Sequence, residues 1–369
     1  MQNNLLSRLL CLVSRILVGV TFVFSGFVKA IDPLGTTYKI QDYLEVMGMS
    51  WFSELALVAS FALITAEFLA GILLLVNVNF RIGLWFSTLL MVAMTPLTLW
   101  IALKNPVTDC GCFGDAIVIS NWATFWKNIA LDVLILVLWI LSKKGCRTWL
   151  QPLPSWVLTA IFALVPIGVG IYALCDLPMV DFRPYKIGND ILEGMELPEG
   201  AQRDQYRTTF IYTRDGVEQE FELQDAPYND STWTFVEQRT ELIVKGEEPP
   251  IHDFSIITME GDDLTYDVLY SEGRTYLCVM YDLHKTKVQY LDNVRRVYEQ
   301  AVSEGAEFLV LTASSDMIEE FSQEHNLPYQ FALTDPIQLK TMVRANPGFV
   351  VLEGAKVVDK FNANKISIN

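Results

Sequence analysis

The chain has 369 residues, 51% of them apolar, and a formal net charge of −16. That charge is divided unevenly: residues 1–175 hold eight acidic and ten basic residues, whereas residues 176–369 hold 35 acidic and 17 basic. A second half this acidic repels phosphate backbones and anionic headgroups, which disfavours both a nucleic-acid role and lying flat on a membrane. Its partners are instead proteins or small molecules, and the first half is in contact with membrane lipid.

A helix needs about 20 apolar residues to cross a bilayer. Five stretches satisfy this, at Leu9–Ala30, Glu54–Val76, Phe80–Leu103, Trp122–Leu141 and Ser155–Cys175. The first lacks a small-residue cleavage pattern and reads as a retained anchor rather than a leader. Arg8 precedes it, Arg81 separates the second and third spans, and Lys143, Lys144 and Arg147 separate the fourth and fifth. Basic residues mark cytoplasmic segments, so the N-terminus is expected in the cytoplasm. The loops 31–53 and 104–121, and everything after the fifth span, are expected outside. In a Gram-negative cell this describes a multi-pass inner-membrane protein with a periplasmic C-terminal domain.

Residues 177–245 are rich in turn formers, with a hairpin signal at Thr208–Leu223 around Asp215-Gly216, and read as a β-containing connector. From residue 246 the pattern becomes regular. A strand at Tyr276–Tyr281 precedes a helix at Val288–Ser303, then a strand at Phe308–Thr312, a helix at Asp316–His325 and a short strand near Tyr329–Leu333. A helix at Ile337–Val343, the dipeptide Asn346-Pro347 and a hairpin turning at Gly354 complete it. Alternating strands and helices followed by a proline-entered hairpin predict an α/β domain of thioredoxin type over 246–369, with a cis bond at Pro347.

Of the six cysteines, Cys110 and Cys112 have motif-like spacing, within Asp109-Cys110-Gly111-Cys112-Phe113-Gly114-Asp115 in an expected outer loop. Two thiols either side of a glycine can close a small, strained ring that exchanges readily in an oxidising compartment. A structural disulfide or a pair of inert thiols fits the same spacing, and the flanking carboxylates are expected to raise a thiol pKa. Charges inside spans are costly. With about 1.5 Å of rise per residue, Arg15 lies roughly 9 Å, and Glu67 and Asp132 each about 13 Å, from the inner ends of their helices. All three are therefore expected in one layer, either as a proton or quinone site or as an ion cluster that fixes packing.

Arg15, Ser25-Gly26-Phe27-Val28-Lys29, Glu67 and Asp109-Cys110-Gly111-Cys112-Phe113-Gly114 together resemble the DoxX/MauE group of four-helix membrane proteins, over about residues 5–145 of a 1–148 domain. The fifth helix, in 149–176, lies outside the resemblance. The resemblance implies an accessory role for periplasmic proteins with disulfides, with Lys29 and Asp109 joining the candidate site. It also implies kinship to bundles that relay electrons from thiol pairs to quinone, so quinone is the cofactor it suggests; no cofactor follows from the residues alone. Such relays commonly use a second thiol pair, for which Cys175 is the nearby substitute.

Pro250-Ile251-His252-Asp253-Phe254 and Asn346-Pro347-Gly348-Phe349 resemble the TlpA and peroxiredoxin branch of the thioredoxin fold. Where that branch carries Cys-x-x-Cys, this chain reads Tyr281-Asp282-Leu283-His284-Lys285-Thr286-Lys287, and Cys278 falls within a strand. The expected role is binding without thiol chemistry, with extended peptide received in the groove beside Pro347 and His284. The sequence thus predicts a helical membrane bundle, a four-helix core plus a fifth helix, followed by a thioredoxin-like α/β domain. A membrane thiol–disulfide accessory factor with an envelope protein partner is the leading reading. A non-catalytic envelope scaffold and a quinone- or small-molecule-binding membrane oxidoreductase are the alternatives.

Overall fold

The structure, a computed structural model, describes residues 2–107, 109–142, 154–197, 200–203, 205–244, 246 and 248–366. Among the described residues the first half holds six α-helices: α1 (Gln2–Ile31), α2 (Pro33–Val46), α3 (Ala56–Val76), α4 (Phe80–Lys104), α5 (Asn121–Leu141) and α6 (Ser155–Cys175). All but α2 belong to segments long and apolar enough to cross a membrane. Lys143, Lys144 and Arg147 lie outside the described residues.

The closest helix pairing depends on glycine. A Cβ on Gly26 would sit 2.6 Å from the Phe68 nitrogen, and one on Gly71 would sit 2.5 Å from the Gly19 oxygen. Hydrocarbon offers no hydrophobic force between helices, so such small-residue contacts carry the association of α1 with α3. They also fix the register in which Lys29 meets Glu67.

Helix α2 occupies what the sequence presented as a loop. Its hydropathy is too mixed for a span, but its start is well specified. Asp32 accepts from the Gly35 nitrogen at 3.0 Å as N-cap, and Pro33 fills the first turn, where its missing N–H costs nothing.

The second half opens with a short helix, α7 (Ile191–Met195), and a three-stranded antiparallel sheet ordered β2-β1-β3. In it β1 (Gln205–Arg214) turns through Asp215 and Gly216, at φ +53° and +79°, into β2 (Val217–Glu222), and β3 (Thr234–Val244) pairs with β1. Positive φ at both turn residues matches the hairpin to the strand twist.

The α/β domain follows: β4 (Ile257–Thr258), α8 (Thr265–Leu269), β5 (Arg274–Val279), α9 (Leu291–Glu304), β6 (Glu307–Thr312), α10 (Ile318–His325), β7 (Gln330–Leu333), α11 (Pro336–Met342), β8 (Gly348–Glu353) and β9 (Lys356–Asn362). Its sheet order is β4-β7-β6-β5-β8-β9, with β5, β6 and β7 parallel and β8 antiparallel to β5. The Asn346-Pro347 bond is cis and leads into β8. A parallel centre closed by a proline-entered antiparallel hairpin is the thioredoxin-like arrangement. Side chains of β5 alternate between two cores, Leu277 and Val279 to one and Tyr276 and Cys278 to the other, as strand geometry requires. The first core also takes in Tyr185 and Ile191, both fully buried, from the segment before the small sheet.

Candidate functional site

The loop between α4 and α5 folds the two cysteines back on each other. Gly111 stands at φ +66°, a conformation that costs side-chain-bearing residues about 1–2 kcal/mol. Asp109 Oδ1 accepts from the Gly111 nitrogen at 2.7 Å while Oδ2 pairs with Lys39 at 2.8 Å, and Tyr43 donates its hydroxyl to the Cys110 carbonyl at 2.9 Å. Helix α2 therefore holds the turn from outside. The outcome is a Cys110 Sγ to Cys112 Sγ separation of 2.9 Å between free thiols.

The pair is electrostatically unequal. The hydrogen bond shared between the two sulfurs, with help from Lys127 and Lys29, holds Cys112 down to about 6 despite burial. The proton-sharing bond and burial push Cys110 up. The flanking carboxylates do not raise the Cys112 thiol as the sequence suggested, because Asp109 is turned to Lys39 and the backbone while the two ammonium groups face the sulfurs.

Below the loop, within the bundle, Lys29 Nζ lies 2.7 and 2.8 Å from the two oxygens of Glu67 and 3.2 Å from Ser25 Oγ. Ser25 Oγ is 2.8 Å from Glu67 Oε2 and 2.6 Å from the Cys112 carbonyl. The Cβ of a helical residue leans toward the helix N-terminus, so Lys29, near the end of α1, reaches back beside Ser25 one turn earlier. Both cysteines, Lys29 and Glu67 line a cavity of about 190 Å³, whose wall also includes the apolar side chains of Phe22, Met91, Met94 and Leu131 and the polar ones of Lys39, Tyr43 and Lys127.

The expected layer of Arg15, Glu67 and Asp132 does not form. Gly19 packs level with Gly71 and Leu75, so Arg15, a turn before Gly19, and Glu67, a turn before Gly71, are displaced in opposite directions. At 1.5 Å per residue they stand roughly 12 Å apart along the axes. The expectation took the inner ends of the helices to be level, whereas the glycine contacts slide α1 inward past α3. Glu67 pairs with Lys29 instead, Asp132 accepts from the Thr95 hydroxyl at 2.8 Å, and Arg15 Nε is buried without a hydrogen-bond partner among the described residues.

Above the loop, the α/β domain is docked by its cis-proline end. Arg344 Nε and Nη2 meet the Asp32 carboxylate at 2.9 and 2.8 Å, and Nη2 lies 3.5 Å from Asp115, three residues past Cys112. Tyr281, two residues past β5, lies beside Tyr38 of α2. Burial would raise the Asp32 carboxyl, but Arg344 and Arg183 hold it below its ordinary value; at Asp115 burial prevails and raises it. Between the two regions runs a cleft of about 530 Å³ that reaches Gly111 and Lys29.

This corrects the expectation of a free peptide groove. Pro347 is buried next to 282–287, where Asn346 Nδ2 donates to the Asp282 carbonyl at 2.8 Å, and this end of the domain faces the membrane helices. His284 is exposed on a 3-10 turn, and its ring makes no hydrogen bond among the described residues. Cys278 is fully buried, as its strand position required, and Cys175 ends α6 as an exposed free thiol. No group of three or more His, Cys, Asp or Glu residues that could hold a metal occurs among the described residues.

Sequence reasoning passed over Lys39, Tyr43, Lys127, Asp32, Asp115 and Arg344. The Ser25/Lys29 spacing of four, one helical face, was the available signal for the buried cluster. Nothing local marks Arg344 as the partner of a residue 312 positions away.

No curated protein matches the chain. Residues 206–245 match a domain of unknown function, DUF8463. Among solved structures, an uncharacterized conserved protein from Geobacillus kaustophilus is 13% identical with a TM-score of 0.25, covering 29% of this chain. The chain spans 64% of that protein, less than two thirds of its length. A putative protein disulfide isomerase from Bacteroides thetaiotaomicron is 12% identical with a TM-score of 0.24, covering 30% of this chain and 76% of its own. Over residues 7–141 the chain matches the family of the methylamine utilisation protein MauE, so its α/β domain is carried behind a MauE-like membrane region.

Proposed function

We propose that the protein is a membrane-embedded thiol–disulfide accessory factor acting on envelope proteins, with Cys112 as nucleophile and Cys110 as resolving thiol. The observation that carries this reading is the 2.9 Å approach of two free thiols, one of which is held near 6. A thiolate formed below neutral pH attacks disulfides, where an ordinary thiol at about 8.5 is mostly protonated.

The exchange balances as follows. The Cys112 thiolate attacks one sulfur of a partner disulfide, forming a mixed disulfide and releasing the other partner sulfur, which takes up a proton. Cys110, losing its proton, attacks Cys112 Sγ, closing the Cys110–Cys112 bond and freeing the second partner thiol. The partner gains two electrons and the pair loses two. In the opposite direction a closed pair oxidises a partner dithiol, and the reduced pair then needs a two-electron acceptor. A quinone ring suits that part. The cavity, walled in part by Phe22, Met91, Met94 and Leu131, opens on both cysteines, and Lys127 lines it as the ammonium that would orient a carbonyl oxygen. Quinone would supply uptake of two electrons and two protons.

Orientation belongs to the same proposal. Arg8 and Arg81 lie at the bundle end opposite the cysteine loop, which supports a cytoplasmic N-terminus with the loop and the α/β domain in the periplasm of a Gram-negative inner membrane. Because Cys112 is the attacking thiol, the trapping variant is Cys110→Ser. In intact cells it should accumulate mixed disulfides through Cys112 that vanish on reduction and are missing in Cys112→Ser. A Cys110→Ser strain with no such adducts, or a C-terminal reporter active only in the cytoplasm, would refute the reading.

A further inference from the structure

The buried cluster beneath the loop contains one proton fewer than its contacts require. Lys29 commits its three ammonium protons to Glu67 Oε1, Glu67 Oε2 and Ser25 Oγ. Ser25 has one hydroxyl proton, yet Oγ stands within hydrogen-bond distance of two acceptors, Glu67 Oε2 at 2.8 Å and the Cys112 carbonyl at 2.6 Å. A hydroxyl can donate once. With a proton on Glu67 Oε2 both contacts become bonds, Glu67 donating to Ser25 and Ser25 to Cys112. The site is built to accept a proton.

The charge count agrees. Lys29 and Glu67 have side chains only 6% exposed and line the same cavity as Cys110 and Cys112. An uncompensated buried charge is costly, so an ammonium here must keep one anionic partner at each stage. If a thiol proton moves to Glu67, Lys29 exchanges a carboxylate for a thiolate and the buried net charge stays zero. The other charged or titratable groups on the cavity wall are Lys39 and Tyr43 of α2 and Lys127 of α5. Lys39 is paired with Asp109, Lys127 sits over the Phe113 ring at 4.3 Å, and the Tyr43 hydroxyl is committed to the Cys110 carbonyl. Among the described lining residues Glu67 is the one carboxylate.

We propose that Glu67 is the proton acceptor of the Cys110–Cys112 pair, with Lys29 as its switching counter-ion and Ser25 as the hydroxyl link to the loop. The inference rests on the exchange reading above. With Cys112 in a mixed disulfide, the Cys110 proton crosses the cavity to Glu67 and the Cys110 sulfur attacks Cys112 Sγ. The Cys110–Cys112 bond forms, the bond from Cys112 to the partner breaks, and its electron pair leaves with the partner sulfur. The proton held by Glu67 then passes to that sulfur.

The test uses reduced full-length protein in lipid nanodiscs, in a Cys175→Ser background that removes the exposed thiol. The probe is the aromatic disulfide dithiobis(nitrobenzoate). A first thionitrobenzoate is released when Cys112 attacks, and a second when Cys110 resolves the adduct. Glu67→Gln should slow the second release about tenfold or more near neutral pH and flatten its pH dependence, with a much smaller change in the first, the range expected for losing a positioned proton acceptor. Glu67→Asp should restore part of the rate. If Glu67→Gln lowers protein yield because Lys29 is left unpaired, the double variant Lys29→Met with Glu67→Gln removes both charges and should keep the slow second release. A second release within about twofold of the parent, or equal slowing of both, overturns the role of Glu67 while leaving the exchange reading intact. A parent protein that never gives a second release overturns both.

Discussion

Replacing Arg344 by Met keeps most of the side-chain volume and removes the charge that joins the α/β domain to the membrane region. The guanidinium side chain is 6% exposed and Asp32 is 19% exposed, with contacts at 2.9 and 2.8 Å. Breaking a pair this buried leaves two carboxylates, Asp32 and Asp115, with no directly paired cation and only the more distant charge of Arg183. The cost is on the order of 3–5 kcal/mol, most of it the stranded charge rather than the lost attraction. For a unit of 150–250 residues each kcal/mol moves the melting midpoint by about 2–4 °C, so the α/β domain should melt on the order of 10 °C lower. Thermal unfolding of the full chain in nanodiscs, read by intrinsic fluorescence, is the assay. Adding Asp32→Asn to Arg344→Met should recover part of the loss. The sign with pH is fixed by the same groups. Asp32 is depressed, so its contribution is full above the ordinary carboxylate range and fades as pH falls through its lowered value. Asp115 is raised, so acid relieves it first. A variant that melts within about 2 °C of the parent near neutral pH would show that Arg344 does not hold the domains together.

The thiol pair should react asymmetrically: alkylation of Cys112 should reach half its maximal rate near pH 6, above which the thiolate prevails, while Cys110 and the buried Cys278 stay protected in the native protein. Equal labelling of Cys110 and Cys112, or a Cys112 midpoint near the ordinary 8.5, would remove the asymmetry. Excised pieces should differ as well, since Tyr185 and Ile191 fill the α/β core. A fragment from residue 177 onward should fold cooperatively, whereas one beginning at 246 should lose on the order of 5 kcal/mol, the loss of two large core side chains, and show no cooperative thermal transition. A cooperative melt of the shorter piece near that of the longer would refute the core assignment.

The membrane spans were legible because bilayer thickness sets a length that composition alone can meet, and all five spanning helices fall on the apolar stretches. The strands and helices of the α/β domain were legible through their two periodicities and the Asn346-Pro347 marker. Helix α2 was not, because a half-polar helix on an end of a bundle satisfies neither the span criterion nor a strong single-face pattern. The Cys-Gly-Cys loop stood out by spacing, but its electrostatics did not. Asp109 and Asp115 are the neighbours in sequence, whereas Lys29 and Lys127, the neighbours in space, come from α1 and α5. The misplaced ion cluster has the same origin. Depth along a helix can be counted from sequence, but the sliding register between helices is set by which glycines meet, here Gly19 with Gly71 and Gly26 with Phe68.

That register also bears on why an α/β domain without Cys-x-x-Cys keeps its cis-proline end. In this chain the segment after β5 reads Tyr281-Asp282-Leu283-His284, and the side chains around it are spent on docking. Tyr281 meets Tyr38, Arg344 meets Asp32 and Asp115, and Asn346 ties the proline loop to Asp282. The thiols lie across this interface, in the loop that Asp115 closes, rather than on the α/β domain itself. The cleft of about 530 Å³ that reaches Gly111 has one wall from each region.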